Sequence, residues 1–184
     1  MPEVEQKAYD GLKAGKTNIL FAGRFDDQKG IVHLVAVIKG LQDMPQYHFH
    51  VIGGGRLQEM VDRELGGLPN VTVRPPLYGI SGYLASFDYM FMPSEFEGLP
   101  LMSVEAAFAG LPVLCSDCKG LNETVPKDWP LVAHDNSHEQ YFHIFRSVIP
   151  NADRTMLSQQ ARQFVAVRFG VEQMQRKYEK LYLG

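Results

Sequence analysis

Several features are scarce in this chain, and each scarcity excludes a class of protein. The 184 residues include only two cysteines, too few for a disulfide framework, so a reducing compartment is expected. The formal net charge is −3, whereas nucleic-acid binders usually carry a basic surplus. No apolar run approaches the length that crosses a bilayer, and the acidic, polar start does not have the pattern of a signal peptide. With 45% hydrophobic and 21% charged residues, the composition predicts a soluble, globular domain in the cytoplasm.

The order of the apolar segments predicts the fold class. Short apolar or β-branched runs alternate with stretches of helical spacing, a pattern typical of βαβ units, so the sequence predicts an α/β fold with a doubly wound, Rossmann-like parallel sheet. The predicted strands are Asn18–Ala22, Tyr47–Ile52, Val71–Val73, Tyr89–Met92, Val113–Cys115 and Leu131–Ala133. The predicted helices are Ile31–Leu41, Leu57–Leu65, Ser81–Phe87, Leu101–Ala109, His138–Ile149 and, closing the chain, Asp153–Phe169 and Val171–Tyr182.

The start of the chain differs from the rest. Residues 1–17 mix charge with glycine and show no strong apolar period, so they are predicted to be a lead-in or linker. Residues 18–184 are predicted to form one folded domain, which lies within the usual size range.

Chemistry is expected in the loops that follow the strands, because ligands of a doubly wound sheet bind beyond the carboxyl ends of its strands. Four loops stand out, namely 23–30, 53–56, 74–79 and 93–100. In the first, Arg24 and Lys29 place two cations beside a helix amino terminus, an arrangement suited to phosphate. From this loop alone, an ordinary turn with solvated charges is the better interpretation.

The fourth loop is more specific. Glu97 precedes Gly98, which lets a ligand approach the backbone closely, and Pro100 is suited to a first helical turn. Glu105 lies one turn inside the following helix, and its side chain is expected to lean back towards the loop. Two such carboxylates suit a vicinal diol of a ribose or hexose. The alternative, a helix-capping Glu97 and a surface Glu105, is disfavoured because small apolar residues surround Glu105.

Glu97 and Glu105 form an E-x7-E pair within PSEFEGLPLMSVEAAFAGLPVLCSD, and GRFDDQKG precedes it at the usual spacing. Together these motifs resemble the carboxyl-terminal lobe of retaining glycosyltransferases with the GT-B fold (family 4, glycosyltransferase group 1). The resemblance runs from about Asn18 to the end and includes VIGGG, SFDYMFMP and ARQFVAVRFG. It implies a single donor-binding lobe whose amino-terminal acceptor lobe is absent, either excised or supplied by another subunit, and therefore a lobe that is inactive alone.

The resemblance also implies roles for individual residues. Arg24 and Lys29 would hold the donor diphosphate and stabilise its charge as it leaves, and Glu97 would contact the transferred sugar, which makes these three the catalytic set. Glu105 would hold the ribose hydroxyls, and the base would lie near Leu77. Around these, the implied donor-binding residues are Gly98, Leu99, Pro100 and Leu101, and Gly53 and Gly54 either line the cleft or permit tight packing. No metal and no further cofactor are implied, since the two cations do the charge work.

Substrates and partners follow from the same resemblance. A UDP-sugar is the expected donor, with GDP-mannose second, and the acceptor is a glycan or a lipid-linked glycan in polysaccharide biosynthesis. No nucleic acid is expected, and peripheral membrane association of the intact enzyme is left open. The sequence departs from the family at Pro100, where many relatives have glycine, and at residues 121–122, although Gly120 and Glu123 are kept.

Other interpretations were weighed against this one. A non-catalytic nucleotide-binding or interaction module is the alternative, disfavoured because all four charged positions are retained. A phosphorylase is disfavoured because this sequence shows no signal for the lysine that would hold its cofactor, and an epimerase is disfavoured by the E-x7-E pair. Cys115 and Cys118 form a lone C-x-x-C without a second pair, so neither a redox pair nor half of a zinc site is expected. His48 and His50 share a strand face without a third ligand, so a packed or solvent-facing pair is expected.

Overall fold

The structure, a computed structural model, describes residues 5–170. Its centre is a six-stranded, fully parallel sheet in which the spatial order is β3-β2-β1-β4-β5-β6. The strands are β1 (Thr17–Arg24), β2 (Tyr47–Gly54), β3 (Val71–Arg74), β4 (Tyr89–Met92), β5 (Val113–Ser116) and β6 (Val132–Ala133). Nearly every residue of β2, β4 and β5 is buried, as expected for strands that helices cover on both faces.

Helices cover both faces of the sheet. They are α1 (Ile31–Gly40), α2 (Gln58–Leu65), a 3-10 helix (Ile80–Ser86), α3 (Leu101–Ala109), α4 (His138–His143) and α5 (Arg154–Phe169). Helix α1 contacts α2 and α4, whereas α3 contacts the 3-10 helix and α5, so the helices form two separate layers. The predicted doubly wound, Rossmann-like sheet is therefore confirmed.

Two predicted helices differ from those observed. The segment predicted as an α-helix over Ser81–Phe87 is a 3-10 helix over Ile80–Ser86 that begins after Gly79, which adopts the left-handed conformation with a φ of 71°. The predicted helix over His138–Ile149 is α-helical only to His143 and continues as a π-helix over Ile144–Val148 and a 3-10 turn over Ile149–Asn151. Pro150 lacks the N–H that an α-helix would need there. The predicted helix Val171–Tyr182 lies outside the described residues.

The lead-in contributes to the core. Tyr9 is only 6% exposed, and its ring packs edge-on against His50 and Tyr83 and tilted against Phe87. The lack of apolar periodicity in residues 1–17 concealed this contact, because a single anchoring side chain creates no period. The division of the chain at residue 18 stays a prediction.

The strand order reverses direction between β1 and β4, and the loops after these two strands meet there. The Glu95 N–H donates to the Gln28 carbonyl at 2.9 Å, which joins the two loops through their backbones. Gly30 has a φ of 66°, and a Cβ at this position would lie 1.7 Å from the Pro93 carbonyl oxygen. Only glycine, which has no Cβ, permits the two loops to approach this closely at this point. Between residues 5 and 170, no helix is both long and apolar enough to span a bilayer.

Candidate functional site

A half-buried ion pair lies where the two loops meet. Lys29 Nζ is 2.6 Å from Glu97 Oε1, and the Ser94 hydroxyl donates to the same oxygen at 2.8 Å. The lysine side chain is 23% exposed and that of Glu97 only 6%. A carboxylate this deeply buried needs such donors to remain charged. The contact places a cation and an acceptor beside each other at the carboxyl edge of the sheet.

Arg24 lies at the mouth of the same region and is largely exposed. Its Nη2 is 3.3 Å from Asp26 Oδ2 and donates to Gln28 Oε1 at 3.1 Å. The Gln28 amide in turn donates to the Phe96 carbonyl at 3.3 Å. Gln28 therefore ties the arginine of the first loop to the fourth loop, and the guanidinium can meet an anion from solvent.

Glu105 is tied to a different element. It is half-buried on α3, and the Ser81 hydroxyl, from the 3-10 helix, donates to its Oε2 at 2.7 Å. The interpretation of Glu105 as a simple surface residue is therefore wrong. Glu97 does not cap α3 either, because no side chain caps this helix. Pro100 precedes the first helical residue rather than lying in the first turn, and its carbonyl accepts the Ser103 N–H at 2.9 Å.

A cavity of about 270 Å³ opens beside these groups, between the ends of β1 and β2 and the loop after β3. Its lining residues are Ala22, Gly23, Arg24, Ile52, Gly53, Gly54, Pro76, Leu77, Ile80 and Met102. Two residues of the predicted donor set, Arg24 and Leu77, thus line the same cavity. Gly53 both lines this cavity and permits tight packing, so its two predicted roles are compatible. A Cβ on Gly53 would lie 1.9 Å from the Gly23 carbonyl oxygen, whereas one on Gly54 would have no neighbour closer than 3.5 Å.

The remaining predicted residues lie at the entrance. Leu99 and Leu101 are more than half exposed, and a Cβ on Gly98 would meet open space. Gly120, with a φ of 88°, packs against this segment, since a Cβ there would lie 2.3 Å from the Gly98 carbonyl oxygen. The Glu97 N–H also donates to the Lys119 carbonyl at 3.2 Å. The turn that contains Gly120 therefore supports the fourth loop from behind.

Three further residues belong to the site. Ser94 and Ser81 each donate to one of the two glutamates, and Gln28 links Arg24 to the opposite loop. The position of Ser94, three residues before Glu97 in a loop, was a usable sequence signal. Ser81 lies 24 residues from Glu105, and no local pattern could have paired these two side chains.

The His and Cys pairs have packing roles. His50 is fully buried, with its Nε2 2.8 Å from Asn18 Oδ1, and His48 Nε2 lies 2.9 Å from Thr72 Oγ1. Cys115 and Cys118 are free thiols, and burial raises the pKa of both. Within residues 5–170, no three His, Cys, Asp or Glu side chains are grouped to hold a metal ion.

A larger cavity, of about 1030 Å³, lies elsewhere, between the 123–129 segment and α5. None of the predicted site residues lines it. The smaller cavity is the better candidate site, because it lies at the carboxyl ends of β1 and β2 and is lined by Arg24 and Leu77.

The sequence is similar to curated bacterial proteins. Among curated proteins, the chain is 36% identical over 118 residues to an uncharacterised 41.2 kDa protein in the cps region of Klebsiella pneumoniae, covering 60% of this chain and 30% of that protein. It is 31% identical over 114 residues to the O-antigen biosynthesis glycosyltransferase WbnH of Escherichia coli, covering 62% and 32%. The chain therefore spans about a third of the length of these relatives.

The fold also matches solved structures. The structure of HepE from Anabaena in complex with UDP and glucose superposes with a TM-score of 0.75 at 20% identity, covering 91% of this chain and 48% of that one. At this identity the likeness concerns the fold, and the fold is that of a GT-B glycosyltransferase lobe. The family model of the glycosyl transferases group 1 matches residues 16–149, well over half of the sequence. The chain therefore belongs to the glycosyl transferases group 1 family.

Proposed function

We propose that this chain is the donor-binding lobe of a retaining glycosyltransferase that uses a nucleotide-sugar, with UDP as the nucleotide. GDP-mannose is the second candidate donor. The observation that carries the proposal is the Lys29–Glu97 ion pair, 2.6 Å long and half-buried, beside the cavity that Arg24 and Leu77 line. It joins a cation for phosphate and an acceptor for hydroxyl groups at the switch point of the sheet.

The cations account for departure of the diphosphate. Arg24 and Lys29 flank the amino terminus of α1, and the positive end of the helix dipole adds to their field. Such fixed positive charge stabilises the negative charge that develops on the β-phosphate as the bond to the sugar breaks. We propose that the acceptor attacks from the same face, with the departing phosphate taking its proton, which retains the anomeric configuration.

The two carboxylates account for recognition of the sugars. Glu105 is aligned by Ser81 and would accept hydrogen bonds from the ribose hydroxyls, with the base lying near Leu77. Glu97, held by Lys29 and Ser94, would accept from hydroxyls of the transferred sugar, and the backbone of residues 98–101 would line the entrance. These contacts need no metal ion in the proposed chemistry.

The acceptor and the location are part of the same proposal. Relatives include a glycosyltransferase of O-antigen biosynthesis, which supports a glycan or lipid-linked acceptor in polysaccharide assembly. We propose that the acceptor is held by an amino-terminal lobe in the whole enzyme, at the cytoplasmic side of the membrane. The lobe alone is expected to bind donor without transferring sugar, and transfer to an added acceptor would contradict this part.

Calorimetric titration of the chain with UDP, GDP and ADP tests the proposal. UDP is expected to bind saturably, and Lys29→Ala to weaken it by about tenfold to a hundredfold, because a charge-assisted phosphate contact contributes ~1.5–3 kcal/mol. Glu105→Ala is expected to weaken UDP binding by about tenfold through the ribose hydroxyls.

Lys39→Ala is the matched control. Lys39 lies on α1, the helix that follows Lys29, and forms an ion pair of the same 2.6 Å length with Glu64, away from the cavity. Its removal is expected to leave the nucleotide affinity unchanged. Absence of saturable binding to all three nucleotides, or equal losses in the Lys29 and Lys39 variants, would contradict the proposed donor site.

A further inference from the structure

The loop expected to bind the donor diphosphate carries as many anions as cations. Residues 24–29 contain Arg24 and Lys29, but also Asp26 and Asp27. Lys29 is paired with Glu97, and Arg24 is paired with Asp26. Each cation that would meet a phosphate thus already faces a carboxylate. A phosphate that enters must share these cations or take them over.

Asp26 makes two separable contacts through its two oxygens. Oδ1 accepts the Lys29 N–H at 3.0 Å and closes the turn of the loop. Oδ2 lies 3.3 Å from Arg24 Nη2. The side chain of Asp26 is only 16% exposed, whereas that of Arg24 is 69% exposed. The acid is thus held in place by the turn, while the arginine extends towards solvent.

We infer that Asp26 competes with the donor diphosphate for Arg24 and so weakens the binding of nucleoside diphosphates to this lobe. The inference rests on the proposed function of the site and names a residue that sets its affinity. A carboxylate fixed beside the guanidinium repels a phosphate that approaches the same nitrogens and offsets part of the positive field. Weaker binding also speeds release of the nucleoside diphosphate that remains after sugar transfer. Product release is the rate-limiting step of many enzymes.

Substitution at Asp26 can remove the negative charge and still keep the hydrogen bond that closes the turn. Asparagine keeps the oxygen that accepts the Lys29 N–H, and serine offers a hydroxyl oxygen of the same kind. Asp27 provides a matched control in the adjacent position. It pairs with Arg56 rather than Arg24, and its side chain is 65% exposed, so solvent screens its charge.

The experiment is a titration of UDP and uridine into the full chain and into Asp26→Asn, Asp26→Ser and Asp27→Asn. Asp26→Asn is expected to bind UDP about three to ten times more tightly, because a negative charge beside the Arg24 guanidinium is removed. Uridine, which carries no phosphate, is expected to bind equally to all. Asp27→Asn is expected to stay within about twofold of the parent for UDP.

The outcomes separate this inference from the proposed function. If the parent chain binds UDP and Lys29→Ala weakens it, but both Asp26 variants bind UDP no more tightly, the inference is overturned and the donor site stands. An equal gain for uridine would show a rearranged turn and would also overturn it. If the parent chain binds no UDP, both fail together. Thermal unfolding of each variant shows whether Asn and Ser preserve the fold.

Discussion

Two polar clusters differ in what surrounds them, one on strands β1 and β2 and the other in the loops after β1 and β4. On one face, His50 is fully buried with its Nε2 2.8 Å from Asn18 Oδ1, and the Asn18 N–H donates to Asp88 Oδ2 at 2.7 Å. At the carboxyl edge, Lys29 and Glu97 form an ion pair beside a cavity. Both clusters were candidates for function in the sequence, and only the second has access to a ligand.

The difference shows how burial separates structural from functional polar groups. Burial lowers the pKa of His50 to about 4, with the nearby His48, Lys13 and Arg74 adding to the effect, so the ring is neutral at pH 7. A neutral group enclosed by aromatic rings contributes packing and hydrogen bonds. At the strand ends, the Arg24 side chain is 69% exposed and lines a cavity, so a ligand can reach its charge. Function therefore follows accessibility of the charge rather than the mere presence of a titratable residue.

The largest expected effect is on stability, from His50→Ala. The change opens a cavity among Tyr9 and Phe87 and removes one of the two hydrogen bonds of the Asn18 amide oxygen, which still accepts the Lys13 N–H. We expect the free energy of unfolding to fall by about 3 kcal/mol, measured by urea denaturation. The UDP affinity of the folded fraction is expected to remain at the parent value. A loss of affinity as large as that of Lys29→Ala would remove the distinction between the clusters.

The second expected effect is a pH dependence of stability that arises from the buried histidine. The folded-state pKa of His50 lies below its unfolded value near 6.5, so the unfolded chain binds more protons between the two values. Stability is therefore complete above pH 6.5 and falls as the pH drops towards 4, by up to about 1.4 kcal/mol per pH unit. Carboxyl groups with a lowered pKa, such as Asp117, lose their contribution only at still lower pH.

Urea denaturation between pH 7 and pH 4.5 checks this dependence. His50→Gln replaces the imidazole with a side-chain amide, which forms hydrogen bonds but does not titrate. The stability of this variant is therefore expected to change less steeply over the same range. Equal slopes for His50→Gln and the parent chain would show that other groups cause the effect. His48, whose pKa is also lowered by burial, accounts for a smaller slope that remains in the variant.

The smallest expected effect comes from two ion pairs, Lys29–Glu97 before α1 and Lys39–Glu64 on α1, which have the same length but different burial. Lys29→Met leaves the buried Glu97 carboxylate with the Ser94 hydroxyl but no cation, and is expected to cost about 1–2 kcal/mol of stability. Lys39→Met removes an exposed pair and is expected to change stability too little to measure. Combining Lys29→Met with Glu97→Gln is expected to restore most of the loss in urea denaturation. A full loss in the double variant would show that packing rather than charge is responsible.

Most of the sheet was predictable from the sequence, because each strand is a short apolar run between turn residues. The predicted and observed bounds of β4 agree, and those of the other strands differ by at most two residues at an end. The position of Lys29 and Glu97 at one edge of the sheet was predictable because their loops follow β1 and β4, and the carboxyl ends of these strands meet there.

What could not be predicted depends on contacts between distant segments. Ser81 finds Glu105 only because the 3-10 helix packs against α3, and Tyr9 enters the core without any periodic signal. The pairing of Asp26 with Arg24 depends on a turn whose shape the residue types alone leave open. Backbone shape and side-chain direction decide these contacts, and neither is encoded in local periodicity.

The meeting of the first and fourth loops has a consequence for folding. Lys29 and Glu97 are 68 residues apart in the chain, and they meet only when β4 has paired with β1. Contacts of such separation form after much chain entropy has been lost, so this corner is assembled late. A chain folded only as far as β3 would present Arg24 and Lys29 without the glutamates. On the proposed function, retention on immobilised UDP would therefore separate fully assembled molecules from partly folded ones, so the nucleotide would report completed folding.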